Sequence, residues 1–410
     1  MRAEIIAVGS ELLTPARVDT NSLWLTAKLN EIGVEVSQKS ILSDDRDLLA
    51  AAVAGALSRA PLVLITGGLG PTEDDVTREA VAQAMHRRLL FDEAICAGIE
   101  AIFARRGRKM AEINRRQAFL VEGAAALDNP NGTAPGQWID YPGGIVLLLP
   151  GPPQELKPMF EELCLPRLKE RLPKAAIRTR FFRVAGMGES DVDALIAPIY
   201  KEYRNPVTTI LAAAGDVQVH LRAQCQTEEE AEALVEELGA KIRERLGDRI
   251  YSLNGDPLEN VVGNLLRERG ATLAVAESCT AGLLGGRITE AAGASEYFLG
   301  GFQVYGKGMK ARLLGLDEKL VEEAGVVSEA AAKAMADSAR DRTGATYAIS
   351  ITGEAGPESS SPGIEPGTVW IGVAGPEGCE ARMFKFPTGR ARVRAFAVQT
   401  ALNLLRLALK

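Results

Sequence analysis

The sequence predicts an α/β protein in three successive parts: a three-layer α/β domain over 1–172, a small α+β domain over 173–254 and a second α/β domain over 255–410. Three observations predict this. Short apolar runs alternate with helical patterns near the start and again beyond residue 257, as in a sheet with helices on both faces. Between them the order becomes strand–helix–strand–strand–helix–strand, which suits a split βαβ sandwich. Turn-forming stretches such as Asn254-Gly255-Asp256-Pro257 mark the boundaries. A chain of 410 residues gives such parts cores of their own.

The first strand is expected over 3–8, followed by Gly9-Ser10-Glu11. Asp19-Thr20-Asn21-Ser22 supplies caps for a helix reaching Asn30 and ending at Gly33. A strand near 34–38, a helix near 45–60 and a strand over 62–66 continue a parallel sheet. Helices near 92–106 and 112–122, a turn-rich loop over 129–136, a buried strand over 145–149 and a helix to Leu172 complete this part. The middle part reads as strands over 178–185, 207–212, 216–223 and 249–252 with helices over 189–203 and 227–246. Its second helix opens on Glu228-Glu229-Glu230 and carries Lys241, Arg243 and Arg245 near its end, as the helix dipole favours. No chemistry is legible there, and a spacer or dimerisation role is expected. The last part reads as a helix over 258–269, a strand over 271–276, a helix from Thr280, strands over 298–305 and 346–351, a helix over 328–342, a strand over 379–386 and a closing helix over 389–409.

Composition excludes several chemistries. The chain has two histidines, His86 in a basic helix end and His220 in a strand with a solvent-facing pattern, so a serine–histidine triad or a histidine metal site is poorly supplied. Its five cysteines (Cys96, Cys164, Cys225, Cys279 and Cys379) are scattered without CxxC spacing, which argues for reduced thiols and against structural zinc. A net charge of -7 leaves no footprint for direct nucleic-acid binding, and the basic run Arg105-Arg106-Gly107-Arg108-Lys109 is local. No run approaches a membrane span and the first residues enter a strand, so a cytoplasmic location is expected.

Two stretches carry chemistry. In Ala276-Glu277-Ser278-Cys279-Thr280-Ala281-Gly282 an apolar strand stops and a helix begins, placing Ser278 at a corner beside backbone N–H groups suited to a phosphate or an oxyanion. A capped helix behind a core strand gives the same pattern. With so little histidine, a serine nucleophile needs another base, and Lys310 behind Tyr305-Gly306-Lys307-Gly308 is the candidate. The second stretch is Thr66-Gly67-Gly68-Leu69-Gly70-Pro71-Thr72-Glu73-Asp74-Asp75-Val76-Thr77-Arg78-Glu79 at a strand end, where glycines admit a ligand close to the backbone. Asp74 and Asp75 either favour the following helix dipole or hold a divalent cation against a phosphate.

Together these motifs resemble the competence/damage-inducible CinA family over essentially the whole chain. The N-terminal part is similar to the molybdopterin-binding fold, through the glycine loop and Asp75-Val76-Thr77. Asp19-Thr20-Asn21, the 129–136 loop and Leu149-Pro150-Gly151-Pro152-Pro153-Gln154-Glu155 resemble this family specifically. The C-terminal part resembles nicotinamide mononucleotide deamidases, through Ala-Glu-Ser-Cys-Thr and Gly353…Ala355-Gly356-Pro357…Gly367-Thr368.

The resemblance implies a deamidase that hydrolyses nicotinamide mononucleotide for NAD salvage, with Ser278 as nucleophile, Lys310 as base and Tyr305 arranging them. Cys279 is the rival nucleophile. Glu277, Thr280, Gly282, Gly353, Gly356, Pro357, Thr368, Arg390 and Arg394 would bind its substrate, the two arginines at the phosphate, with no cofactor. It also implies an N-terminal pyrophosphatase that cleaves ADP-ribose to AMP and ribose 5-phosphate. There Thr66, Gly67, Gly68, Gly70, Glu11, Asp19, Asn21, Asn131 and Glu155 would line the site, and Asp75 with Asp74 would hold a divalent metal (Mg, Mn or Co). A homodimer is implied as well. Two other readings stand beside it: a competence scaffold binding recombination proteins, and a molybdopterin-processing N-terminal domain.

The chain departs from the family pattern at three places. Tyr305-Gly306-Lys307 stands for Tyr-Ser/Thr-Asn, making Lys307 a rival to Lys310; Thr388-Gly389-Arg390 stands for Gly-Asp-Arg; and Thr14-Pro15 replaces the usual glycine.

Overall fold

The computed structural model describes residues 1–172, 175–359, 361, 363–387 and 389–410, with the backbone alone at Lys307, Glu318, Leu320 and Val321. The expected start of the middle part at 173, the side chain of the rival Lys307, and Thr388 lie outside the described residues. The chain divides into two compact units, Met1–Arg178 with Gln224–Glu232, and Thr179–Ala223 with Ala233–Lys410.

The N-terminal strands are β1 (Arg2–Val8), β2 (Glu35–Leu42), β3 (Leu62–Thr66), β4 (Leu89–Phe91), β5 (Phe119–Val121), β6 (Ala124–Leu127), β7 (Gly136–Tyr141) and β8 (Gly144–Leu149). Six form one sheet in the order β2-β1-β3-β8-β7-β6. The sheet is mixed, not purely parallel: β1, β2, β3 and β8 run parallel, and β7 and β6 add antiparallel strands. Alternate residues of the parallel strands serve opposite faces. Ile5, Leu64, Leu147 and Leu149 pack on Leu25, Leu29, Leu156 and Phe160, whereas Ile6, Val63, Ile65 and Leu148 pack on Leu49, Val53, Ala80 and Val81. Each fully buried aliphatic side chain contributes roughly 1.5–3 kcal/mol. Because β1, β3 and β8 are parallel neighbours, their carboxyl ends bring Gly9, Gly67 and Pro150 to one sheet edge.

The helix expected over 112–122 is instead a 3-10 turn, Glu112–Ala118, followed by β5. Pairing overrides the local helical pattern: β5 zips onto β4, Phe91 meets Phe119 edge-on, and Val121 N–H donates to Gln137 Oε1 at 2.9 Å. The helix to Leu172 comes in three pieces, Pro153–Met159, a π segment Phe160–Cys164 and Leu165–Arg171. Pro158 and Pro166, which donate no N–H, bracket the π segment.

The middle strands β9 (Ala176–Ala185), β10 (Val207–Ala213), β11 (Asp216–Cys225) and β12 (Ile250–Ser252) lie in the order β10-β11-β9-β12, with helices Glu189–Tyr200 and Glu228–Leu246. This is the expected split βαβ arrangement. His220 is half-buried rather than solvent-facing, its ring 4.6 Å edge-on from Phe181.

The C-terminal strands β13 (Leu273–Glu277), β14 (Phe298–Gln303), β15 (Tyr347–Gly353), β16 (Thr368–Gly375) and β17 (Gly378–Lys385) form a sheet ordered β14-β13-β15-β16-β17. β13 runs parallel to β14 and β15, and β16 and β17 are antiparallel. Helices Leu258–Glu268 and Arg390–Ala408 cover one face, with Val262, Val393 and Leu402 against Val275 and Ile349. Helix Glu329–Thr343 covers the other, with Met335 and Ala339 against Ala274, Ala276 and Ala348. The helix expected from Thr280 begins only at Leu283, because Ala281 (φ 50°) and Gly282 (φ 92°) are left-handed and interrupt it. Two further helices, Lys307–Leu314 and Glu318–Ala324, occupy a stretch to which the sequence pattern assigns no element. No helix among the described residues is long and apolar enough to cross a membrane.

Candidate functional sites

Strand β13 is buried along its length and delivers Glu277 and Ser278 to the carboxyl edge of the sheet. Ser278 N–H donates to Ile351 O at 2.9 Å, which ties the corner to the central strand β15. Helix Lys307–Leu314 then carries Lys310 over the corner. Lys310 Nζ lies 3.1 Å from Ser278 Oγ, and both residues are buried. Burial lowers the Lys310 pKa, opposed more weakly by Cys279 and Glu354. No carboxylate forms an ion pair with Lys310 among the described residues, so the shift is toward the neutral amine, the form that accepts a hydroxyl proton. Burial also pushes the Cys279 thiol up to about 11, leaving little thiolate at neutral pH.

The turn after Ser278 is built by Glu277. Its Oε2 accepts from Gly282 N–H and Leu284 N–H at 3.0 Å each, and its Oε1 from Gly285 N–H at 2.8 Å. The helix start is therefore capped from inside the protein, and Glu277 shapes the corner rather than offering a free carboxylate. Ala281 N–H donates to Ser278 O and Leu283 N–H to Thr280 O. The N–H groups of Cys279 and Thr280 have no acceptor on another residue among the described residues. Gly282 suits this turn because its φ of 92° is left-handed; a Cβ there would also displace the Gln303 side chain, whose Nε2 would stand 2.6 Å away.

Two arginines at the start of helix Arg390–Ala408 reach the same corner. Arg394 Nη2 donates to Thr280 O at 2.7 Å, and Arg390 donates to Gly356 O at 3.4 Å and to Tyr305 Oη at 2.8 Å. Tyr305 is thus held by Arg390, 58% exposed, with no hydrogen bond to Ser278 or Lys310 among the described residues. Thr280 Oγ1 and Arg394 Nε are buried with no partner. A hydroxyl and a guanidinium N–H left unsatisfied on two residues that touch are each a donor that an anion would satisfy. Gly353 ends β15, where a Cβ would meet Thr368 O at 2.7 Å, and Gly356 and Pro357 follow it in the loop reached by Arg390. Thr368 begins β16, its Oγ1 accepting from Lys385 at 3.3 Å.

In the other unit the carboxyl ends of β1, β3 and β8 surround a cleft of about 480 Å³. Of the expected residues, Gly67, Gly68, Gly70, Glu11, Asn131, Glu155, Asp74 and Asp75 line it, and Thr66, Asp19 and Asn21 do not. Thr66 is buried within β3, Asp19 caps its helix by accepting from Ser22 N–H at 3.0 Å, and Asn21 donates to Gly151 O at 2.7 Å behind the cleft wall. Glu155 accepts from Asn129 at 2.7 Å, and Asn131 donates to Gln154 O at 3.0 Å. Gly67 and Gly68 are left-handed, and a Cβ at Gly67 would stand 2.3 Å from Val8 O. Thr72 lowers the Asp74 pKa by hydrogen bonding. Asp75 accepts from Gly70 N–H and Thr72 N–H at 2.8 Å and from Thr72 Oγ1 at 2.5 Å, closing the loop on itself.

For a divalent cation the donors present are hard carboxylate oxygens. Among the described residues no three Asp, Glu, His or Cys side chains converge tightly enough to hold a metal alone. They suit a cation completed by substrate phosphate oxygens and water, as magnesium is commonly held.

Comparison with known proteins identifies the family. The chain is 56% identical to a CinA-like protein of Solibacter usitatus over 406 residues, covering 99% of this chain and 98% of the relative. The chain belongs to the CinA family. A CinA-like protein of Koribacter versatilis is 46% identical over 410 residues, with 99% of each covered. Three family models match this CinA-family chain: "Probable molybdopterin binding domain" over 4–170, "Damage-inducible protein CinA KH domain" over 179–252 and "CinA C-terminal domain" over 255–409. The crystal structure of the competence/damage inducible protein CihA from Agrobacterium tumefaciens is 32% identical over 38% of this chain and 98% of that one, with a TM-score of 0.36.

Sequence reasoning missed two supports of the N-terminal loop of this CinA-family member. Arg78, almost fully buried, donates to Leu69 O at 2.7 Å and to Gly70 O at 2.8 Å, and Thr77 Oγ1 donates to Gly67 O at 2.8 Å. Thr77-Arg78 stands in the quoted motif, but only a buried arginine without a carboxylate partner reveals its task. Burial lowers its pKa, yet guanidinium stays charged at any physiological pH.

Proposed function

We propose that the C-terminal domain hydrolyses nicotinamide mononucleotide to nicotinate mononucleotide and ammonia through Ser278 and Lys310. The single observation that carries this reading is the buried 3.1 Å contact between Lys310 Nζ and Ser278 Oγ, with the lysine pKa lowered by burial. Neutral Lys310 accepts the Ser278 proton as Oγ attacks the carboxamide carbon. The oxyanion is held by backbone N–H groups, for which Cys279 and Thr280 are the available donors. Lys310 returns the proton to nitrogen, the C–N bond breaks and ammonia leaves an acyl-serine. Water then adds with its proton going to Lys310, and the ester bond breaks to release the carboxylate while Ser278 regains a proton. Arg390, Arg394 and Thr280 Oγ1 hold the substrate phosphate, with Gly353, Gly356, Pro357 and Thr368 shaping the wall. Tyr305, tied to Arg390, orders the phosphate side.

Ammonia release from nicotinamide mononucleotide by wild type, Ser278→Ala and Lys310→Ala tests this. Both substitutions should reduce the rate by at least a thousandfold, and Cys279→Ala should not. Wild-type rates in Ser278→Ala, or a folded but inactive wild type, would refute it.

A second reading concerns the N-terminal cleft, because a glycine loop and carboxylates share it. There the chain hydrolyses ADP-ribose to AMP and ribose 5-phosphate with a divalent cation. The cation would be held by Asp75 and Asp74 with substrate phosphate oxygens, and would supply charge neutralisation. Gly67, Gly68 and Gly70 let backbone approach the phosphates, and Glu11, Asn131 and Glu155 line the remaining wall. AMP formation should require added Mg, Mn or Co and fall at least a hundredfold in Asp75→Asn. A pure scaffold would show neither activity and no thermal stabilisation by either substrate, and a molybdopterin-processing domain would be stabilised by molybdopterin alone.

A further inference from the structure

Charge in the N-terminal cleft is unbalanced, and the inference here rests on reading that cleft as a diphosphate site. Glu11, Asp44, Asp74, Asp75 and Glu155 line it, whereas Arg106 is the one lysine or arginine lining it among the described residues. Its neighbours in the basic run, Arg105, Arg108 and Lys109, do not line the cleft.

The mount of Arg106 is fixed. It follows helix Glu93–Arg105, where Arg108 N–H donates to Phe103 O at 3.0 Å and Gly107 N–H to Ala104 O at 2.9 Å, with Gly107 at φ 66°. This is a Schellman closure, which holds the backbone under Arg106 while leaving the side chain free. Among the described residues the Arg106 guanidinium has no ion pair or hydrogen bond. Elsewhere the arginines around the loop are engaged: Arg78 holds carbonyls, and Arg116 pairs with Glu73 at 3.0 Å. No carboxylate of the cleft pairs with this guanidinium among the described residues, so its donors remain available to phosphate oxygens, while the surrounding carboxylates need a divalent cation between them and a diphosphate.

We propose that Arg106 is the cationic wall of a diphosphate-binding site whose floor is the Gly67–Gly70 loop. The guanidinium fork takes two phosphate oxygens at once and selects substrates with a phosphoanhydride over monophosphates. Arg106 is a binding residue, so its removal weakens capture more than turnover. An arginine that only complements a helix C-terminus would leave ligand binding untouched.

The test uses the full chain with Mg²⁺ present, comparing wild type, Arg106→Gln, Arg106→Lys and Arg105→Gln. Inorganic pyrophosphate affinity is measured by calorimetry, and ADP-ribose hydrolysis by kcat and KM. Arg106→Gln should weaken pyrophosphate at least tenfold and raise KM with kcat within threefold; Arg106→Lys should recover part, and Arg105→Gln should match wild type. Unchanged affinity in Arg106→Gln, an equal loss in Arg105→Gln, or no pyrophosphate binding by wild type would overturn the proposal. Pyrophosphate binding that depends on Arg106 without any ADP-ribose hydrolysis would uphold the anion site and refute the hydrolase reading instead.

Discussion

Arg394 donates to the carbonyl of Thr280 at 2.7 Å across 114 positions of sequence, while Arg394 Nε and Thr280 Oγ1 both stay buried without a partner. The contact pins the guanidinium against the serine corner and leaves two donors for an anion. Arg394→Gln should raise KM for nicotinamide mononucleotide at least tenfold, about 1.4 kcal/mol of binding. Nicotinamide riboside, which lacks the phosphate, should show no comparable loss. Equal losses on both substrates would remove Arg394 from the phosphate site.

Lys310 sets the pH dependence. In the proposed mechanism Lys310 acts in its base form, so kcat/KM should climb with pH along an acid limb set by Lys310, whose midpoint lies below the ordinary lysine value of ~10.4. Stability follows the same sign. Because the folded pKa is lowered, the unfolded chain binds more protons between the folded and ordinary values, and stability rises with pH across that window. Lys310→Met should flatten that rise in denaturant unfolding of the chain, and parallel curves for the two proteins would contradict the assignment.

Glu277 gathers three backbone N–H groups on one carboxylate. Glu277→Ala should destabilise the C-terminal domain by about 3 kcal/mol, since buried donors lose a charged acceptor. Activity should fall with it, because the same turn positions Ser278. Glu277→Gln keeps an oxygen acceptor and should lose less. Urea midpoints that coincide for all three proteins would disprove the capping role.

Arg78 is the corresponding support in the N-terminal domain. Arg78→Lys cannot span the Leu69 and Gly70 carbonyls with one ammonium, so it should behave almost like Arg78→Met. Both should cost about 2 kcal/mol and abolish thermal stabilisation by ADP-ribose with Mg²⁺. Full stabilisation in Arg78→Lys would show that the loop holds its shape without the fork.

Cys279 should be slow to alkylate. With its thiol pushed up to about 11 and only 6% of the residue exposed, iodoacetamide at pH 8 should modify it far more slowly than an exposed thiol. Rapid labelling, followed by mass spectrometry of the peptide, would place a reactive thiolate beside Ser278.

Sequence carried the elements whose signal is periodic and strong. β1, β3, β8 and β13 are apolar runs buried on both faces, and helices such as Glu228–Leu246 and Arg390–Ala408 are long. It failed where long-range pairing outweighs local preference. β5 follows a helical pattern yet pairs with β4, and β7 is specified by its neighbour β8, so neither is visible in its own residues. The helix after Ser278 starts at Leu283 rather than Thr280 because Ala281 and Gly282 are left-handed and Glu277 caps the start from the strand, which no helix-cap pattern describes.

The sequence by itself determined the three-part α/β architecture, the glycine loop and the serine corner, because apolar periodicity and left-handed glycines are local properties. Only the tertiary structure decided which groups meet. Parallel pairing of β13 with β15 fixes the corner, a separate helix brings Lys310 onto it, and burial there lowers the lysine's pKa. The family resemblance implies that Tyr305 arranges that pair, whereas its hydroxyl accepts from Arg390, and Arg106, which in sequence reads as one member of a local basic run, lines the N-terminal cleft. Desolvation and proximity depend on what the rest of the chain places around a residue, and this information is absent from the residue's own neighbours in sequence.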